Sequence, residues 1–211
     1  MNSDQIVLSK FITKGTDAVT RIAKEPEERK AEIIDAAQKL FEEKGYENTM
    51  MSDVAQSVGI SQGLPYRYFK SKLELLDAVA VKLGEEFLKK VVGFKFKPGM
   101  NAKDKLDVYF DMFVEVGSSK LVSLLHKKNN SQIHKRMSEN IFKSLIPELQ
   151  KLIDEGNDEK CFECPNSDES AQFLIYGAMS VHDMISEAND LTEKMQIIKT
   201  LFYRVLNVKR N

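Results

Sequence analysis

The chain has no tryptophan, two cysteines, three histidines and five prolines in 211 residues. Each scarcity excludes something. The cysteines, Cys161 and Cys164, stand too close together to staple a small secreted fold. No apolar run approaches the roughly 20 residues that a bilayer span needs. Ile6, Val7 and Leu8 are interrupted at once by Ser9 and Lys10, so no cleavable signal is read and no membrane partner is expected. Neither charge sign dominates: 31 Lys and Arg face 32 Asp and Glu, for a net charge of -1. The molecule is therefore not basic overall, and any nucleic-acid binding must come from a local patch. The simplest setting is soluble, reducing and cytoplasmic.

What is present is helical periodicity, with almost no strand-like alternation. At 42% hydrophobic residues the chain can bury a sizeable core. Pro26 followed by Glu27 and Glu28 starts a helix, because proline at the first position forfeits no needed bond and the acids face the positive dipole end. Ile33, Ile34, Ala37, Leu40 and Phe41 recur at helical steps, and Gly45 can close that helix. Thr49 is a candidate N-cap for a short helix with Val54, Ala55 and Val58; Gly59 ends it and Ser61 can cap the next. A helix over about 72–92 follows, with Leu73, Leu76, Val79, Leu83 and Phe87 on one face. Beyond a Gly/Pro junction at 93–101, helices are predicted at 102–117, 119–128, 131–154, 167–188 and 190–208, with a loop at 155–168. The fold class is all-α.

Residues 49–69 have the grammar of a helix-turn-helix: small Ala55 permits a close crossing, Gly59 turns the chain, and Val54, Val58 and Ile60 fill the space between helices. The second helix carries the chemistry of a major-groove reader. Gln62 can pair with adenine and Arg67 with guanine, while Gly63 permits close backbone approach. Tyr66 and Tyr68 can donate to phosphates, Lys70 and Lys72 add charge, and no acid occurs from Ser61 to Lys72. On pattern alone, a helix pair with a glycine turn also fits an ordinary helical core.

The segments "AAQKLFEEKGY", "TMMSDVAQSVGIS" and "YRYFKSKLEL" occur in that order within residues 28–79. This stretch resembles the DNA-binding domain of the TetR family of bacterial transcriptional regulators. The resemblance implies an N-terminal three-helix DNA-binding domain followed by a helical ligand-binding and dimerisation domain. The corresponding division is an N-terminal extension at 1–24, a helix-turn-helix domain at 25–72, a connecting helix and junction at 73–99, and a second domain at 100–211. It further implies a homodimer through the last two helices, a palindromic double-stranded DNA operator, and a small-molecule effector. By the same resemblance, phosphate contacts fall on Thr49, Ser61, Tyr66, Tyr68 and Lys72, and base-side contacts on Gln62, Gly63 and Arg67. Phe69 would anchor the helix to the core. Pro65 departs from the family pattern, which has a larger aliphatic residue there. It is expected to bias Leu64 away from helical angles and to loosen or delay the start of the recognition helix.

The second half offers no catalytic constellation, and nothing in it calls for a cofactor or a resident metal. Phe110, Phe113, Met137, Phe142, Tyr176, Met179 and His182 are candidates for a ligand pocket, and equally for simple core. The CxxC spacing of Cys161 and Cys164 is half of a four-cysteine zinc site. Two other functions stay open at this point: a structural, chromosome-associated DNA-binding protein without effector, and a cysteine-based redox or metal sensor.

Overall fold

Residues 25–117, 120–125, 130–184 and 191–209 are described in a computed structural model. Among them are nine helices: α1 (Pro26–Lys44), α2 (Met51–Val58), α3 (Pro65–Tyr68), α4 (Lys72–Val92), α5 (Ala102–Gly117), α6 (Lys120–Leu125), α7 (Ser131–Asp158), α8 (Ser167–Met184) and α9 (Leu191–Val205). The all-α expectation holds for these residues. The N-terminal extension lies outside them.

Helix α1 begins on Pro26 and ends at Gly45, whose φ of 84° suits a residue without a side chain. Ile33, Ala37, Leu40 and Phe41 form its buried face. Helix α4 starts on Ser71, whose hydroxyl accepts from the Glu74 N–H at 3.1 Å. The Glu74 carboxylate in turn accepts from the Lys70 N–H at 2.6 Å. The expected face of α4 is buried at Leu76, Val79 and Phe87 and half-buried at Leu83, and it departs from expectation only in the first turn. There Leu75 is enclosed and Leu73 is 48% exposed.

Helix α4 is packed on both sides. Lys82 pairs with Asp35 of α1 at 2.6 Å, and Arg136 of α7 pairs with Asp77 at 2.5 Å. Gly84 lets α7 approach: a Cβ there would stand 3.3 Å from the Met137 side chain. Val91, near the other end of α4, is buried.

Helix α7 is longer than expected, running on through Glu155–Asp158 where a loop was predicted. Its last turn is clamped from outside the helix. The Phe162 ring lies on Gly156, and Asn157 exchanges two hydrogen bonds with the Cys164 backbone at 2.7 and 2.9 Å. The chain end joins the same corner, with Lys209 N–H donating to the Cys161 carbonyl at 3.1 Å. Both cysteines are free thiols, Cys164 buried. Among the described residues no group of three or more His, Cys, Asp or Glu could hold a metal ion, and no helix is long and apolar enough to cross a membrane.

Candidate nucleic-acid interface and internal cavity

The turn between α2 and α3 is built on Gly59, which adopts left-handed angles of φ 72°, ψ 36°. Its N–H donates to the Gln56 carbonyl at 3.1 Å, and the Ile60 N–H reaches back to Ala55 at 3.0 Å, the double bond of a Schellman ending. At the other end of α2, the cap is not Thr49. The Asp53 carboxylate accepts from the Met50 N–H at 2.9 Å, so Met50 occupies the cap position.

Helix α3 is one short turn, Pro65–Tyr68. Ser61 does not cap it. Instead Ser61–Leu64 forms a separate turn in which the Leu64 N–H donates to the Ser61 carbonyl at 3.0 Å. That carbonyl is the one a proline at position 65 would have left without a donor, so Pro65 forfeits nothing. The helix start is delayed to Pro65, as its chemistry implied. Leu64, however, keeps helical angles of φ -67°, ψ -40°, against the usual bias of a residue preceding proline. Phe69 is extended, not helical, and is buried with Pro65. These two pin the short helix to the core, one from each end.

Ser61, Gln62, Gly63, Tyr66, Arg67 and Lys70 are exposed on this turn and helix, and Tyr68 is half-buried. A Cβ at Gly63 would meet nothing within 4 Å, so the backbone there is open to close approach. Two guanine- or adenine-matching side chains, an exposed phenol and a cation are thus exposed along one turn and helix.

The structure puts Thr49 and Lys72 to other use. Thr49 is fully enclosed, and its hydroxyl donates to the carbonyls of Gly45 at 2.9 Å and Leu40 at 3.3 Å. Lys72 points its ammonium at the carbonyls of Tyr46, Thr49 and Glu47, at 2.9, 3.0 and 3.4 Å. It also lies 4.3 Å from the centroid of the Tyr46 ring.

A second feature lies between α4, α5, α7, α8 and α9: an apolar-walled cavity of about 60 Å³. Phe110, Phe113 and Phe142 line it, as expected. Phe113 stacks on Phe142 at 5.9 Å, and Phe110 meets Phe202 edge-on at 5.2 Å. The other expected residues lie elsewhere. Met137 packs against Gly84. Tyr176 is 44% exposed on the outer face. Met179 packs half-buried against the core. The His182 side chain lies outside the described residues. Tyr109, Leu149, Ile175, Met195 and Phe202 also line the cavity and were not singled out from sequence. Helical spacing alone does not separate a cavity wall from solid core. Burial pushes the Tyr109 phenol upward, and the Glu148 and Glu155 carboxylates push the same way, so it stays a neutral donor at the cavity edge.

A third feature is a stripe on the outer face of α8 and α9. Phe173 is 68% exposed, Ile197 46%, Tyr176 44% and Leu201 43%. Phe173, Tyr176, Gly177 and Ser180 follow the three- and four-residue steps of a packing seam. No atom stands within 4 Å of where a Gly177 Cβ would be, which leaves room for another helix.

Residues 33–79 match the profile of the family described as "Bacterial regulatory proteins, tetR family". Over 67 residues the chain is 36% identical to the HTH-type transcriptional regulator TtgR of Pseudomonas putida, covering 32% of each protein. The match therefore spans about a third of that relative's length. Among solved structures, a TetR-family transcriptional regulator from Pectobacterium atrosepticum superposes with a TM-score of 0.63 at 20% identity, over 87% of this chain and 97% of the other. A structure of RolR in complex with the ligand resorcinol superposes with a TM-score of 0.57 at 19% identity, over 87% and 89%. The last two likenesses establish a common fold.

Proposed function

We propose that the chain is a dimeric, sequence-specific DNA-binding transcriptional regulator of the TetR family, a repressor released from its operator by a small molecule; the match of residues 33–79 to the TetR-family profile supports this. The observation that carries this reading is the exposed surface of Gln62, Gly63, Tyr66 and Arg67 around a one-turn helix. A recognition helix in the major groove needs base-reading side chains at its start and phosphate donors beside them. Gln62 and Arg67 read bases, and Ser61, Tyr66 and Tyr68 hold phosphates.

The stripe of Phe173, Tyr176, Ile197 and Leu201 supports a homodimer through α8 and α9. A two-fold dimer with one reading head per subunit calls for a palindromic operator, with half-site centres roughly 34–36 Å apart or at multiples of that distance. The cavity supports an uncharged, largely apolar effector, aromatic in the simplest case. Apart from Tyr109 and Glu148 its lining residues are apolar and offer water few hydrogen-bond partners, whereas an apolar molecule loses none by entering. RolR, of the same fold, holds an uncharged aromatic molecule, resorcinol. An effector that binds better to the conformation with misplaced reading heads lowers DNA affinity, and DNA lowers effector affinity by the same factor.

Selection of binding sites from random DNA tests the reading. It should enrich a palindromic motif whose affinity falls steeply with salt and falls again on adding a small aromatic ligand. Recovery of no enriched motif would overturn it.

A further inference from the structure

We propose that Lys72 is a positioning residue, tying the α1–α2 loop to the first turn of α4, and that its charge is not a phosphate contact. The inference rests on the DNA-binding reading for its functional consequence, and on geometry for the rest. An ammonium has three donors and no acceptor. Here the three converge on the carbonyls of Tyr46, Glu47 and Thr49, the longest contact being 3.4 Å. The Tyr46 ring lies under the charge at 4.3 Å, and that ring packs edge-on against Phe41, at 5.2 Å, in the core. The positive charge is therefore matched by protein dipoles and an aromatic face.

Lys72 sits at the first position of α4, where Ser71 and Glu74 cap the helix. Its backbone is fixed, so its side chain fixes the loop. The same loop is held from the other side by the Thr49 hydroxyl on Gly45 and Leu40. Thr49 leads directly to Met50 and α2. Two side chains thereby set where the first helix of the reading head begins relative to α4.

The binding site for the cation is specific in shape. Three acceptors grouped around one nitrogen suit an ammonium, whereas the planar guanidinium directs its donors outward in a fork. A phosphate clamp would accept arginine; this loop clamp should not.

Lys72→Met and Lys72→Arg are compared with the full-length wild type on the selected operator at several salt concentrations, and by amide hydrogen exchange. The clamp predicts that both variants bind at least about tenfold more weakly. It also predicts an unchanged slope of log affinity against log salt. Amide exchange at Asp53 and Val54 should rise, with exchange in α7 and α8 unaltered. Wild-type affinity in Lys72→Arg would overturn the proposal. So would a salt slope reduced by about 1.8 in Lys72→Met, which is the value for one phosphate lost per subunit of a dimer. If Lys72→Met does not fold, Lys72→Arg alone decides between the two roles. If wild type selects no DNA, the regulator reading fails, and hydrogen exchange alone still judges the clamp.

Discussion

A Cβ on Gly156 would stand 2.1 Å from Cδ2 of the Phe162 ring, far inside van der Waals contact. The glycine is buried within the last turns of α7, and the aromatic ring covers its bare backbone. The Cys161 and Phe162 N–H groups both donate to the Gly156 carbonyl, at 3.0 and 2.9 Å. Gly156→Ala should therefore destabilise the protein by about 2 kcal/mol through overpacking, despite the better helix propensity of alanine. A urea midpoint lowered at unchanged slope would show it. A raised midpoint would mean that Phe162 can move aside cheaply.

Asp107 accepts hydrogen bonds from Lys199 at 2.8 Å, Lys103 at 3.1 Å and the Tyr203 hydroxyl. Burial pushes its carboxyl up, but these donors outweigh burial and hold it below the usual carboxylate range. A lowered folded-state value stabilises the fold above the unfolded value, about pH 4, and the benefit fades as pH falls through the folded value. Asp107→Asn should therefore be less stable than wild type near neutrality, and the difference should shrink below about pH 4. Chemical denaturation at a series of pH values measures this. A difference independent of pH would contradict it.

Tyr203 shifts the opposite way. Burial, then the Asp107 hydrogen bond and charge, raise its phenol well above the tyrosine range. The neutral phenol stabilises the fold fully below about pH 10, and that contribution is lost as pH rises toward the folded value. In an alkaline titration followed by phenolate absorbance, Tyr203 should ionise last, and Tyr203→Phe should remove that step alone.

Arg67→Ala should cost about 1–3 kcal/mol of operator affinity and relax preference at one base position. Tyr66→Phe should weaken all sequences alike, because a phosphate contact carries no base information. Titrations against single-base operator variants separate the two patterns. Uniform weakening by Arg67→Ala would remove it from base reading.

Phe173→Lys places a charge on the exposed stripe of α8 and α9. It should shift the protein toward monomer in sedimentation while leaving thermal unfolding of the subunit nearly unchanged, because the side chain is 68% exposed. Unaltered sedimentation would place the dimer seam elsewhere.

Much of this was legible in the sequence because it is local. The bounds of α4 and α5 follow from helical spacing and flanking glycines, and they agree with the structure at both ends. The glycine turn at Gly59 is likewise a local signal, and its left-handed angles follow. What was not legible depends on partners distant in the chain. Gly156, Asn157 and Asp158 have loop composition, and Phe162 and Cys164 keep Gly156 and Asn157 helical from outside α7. Lys72 reads as a free cation until Tyr46, Glu47 and Thr49, more than twenty residues earlier, are found around it. Phe202 reaches the cavity wall from the last helix, and no spacing rule announces which apolar residues border a void.

The unpartnered stripe on α8 and α9 also sets how the protein would respond to its own abundance. If two weakly associated chains must meet before a palindrome can be occupied, occupancy at low abundance grows with the square of monomer concentration. A twofold drop in protein would then cut the bound species to about a quarter. On the proposed reading, Phe173, Ile197 and Leu201, exposed on helices other than the reading head, would thus govern how sharply a regulated gene switches as the cell dilutes its supply of this protein.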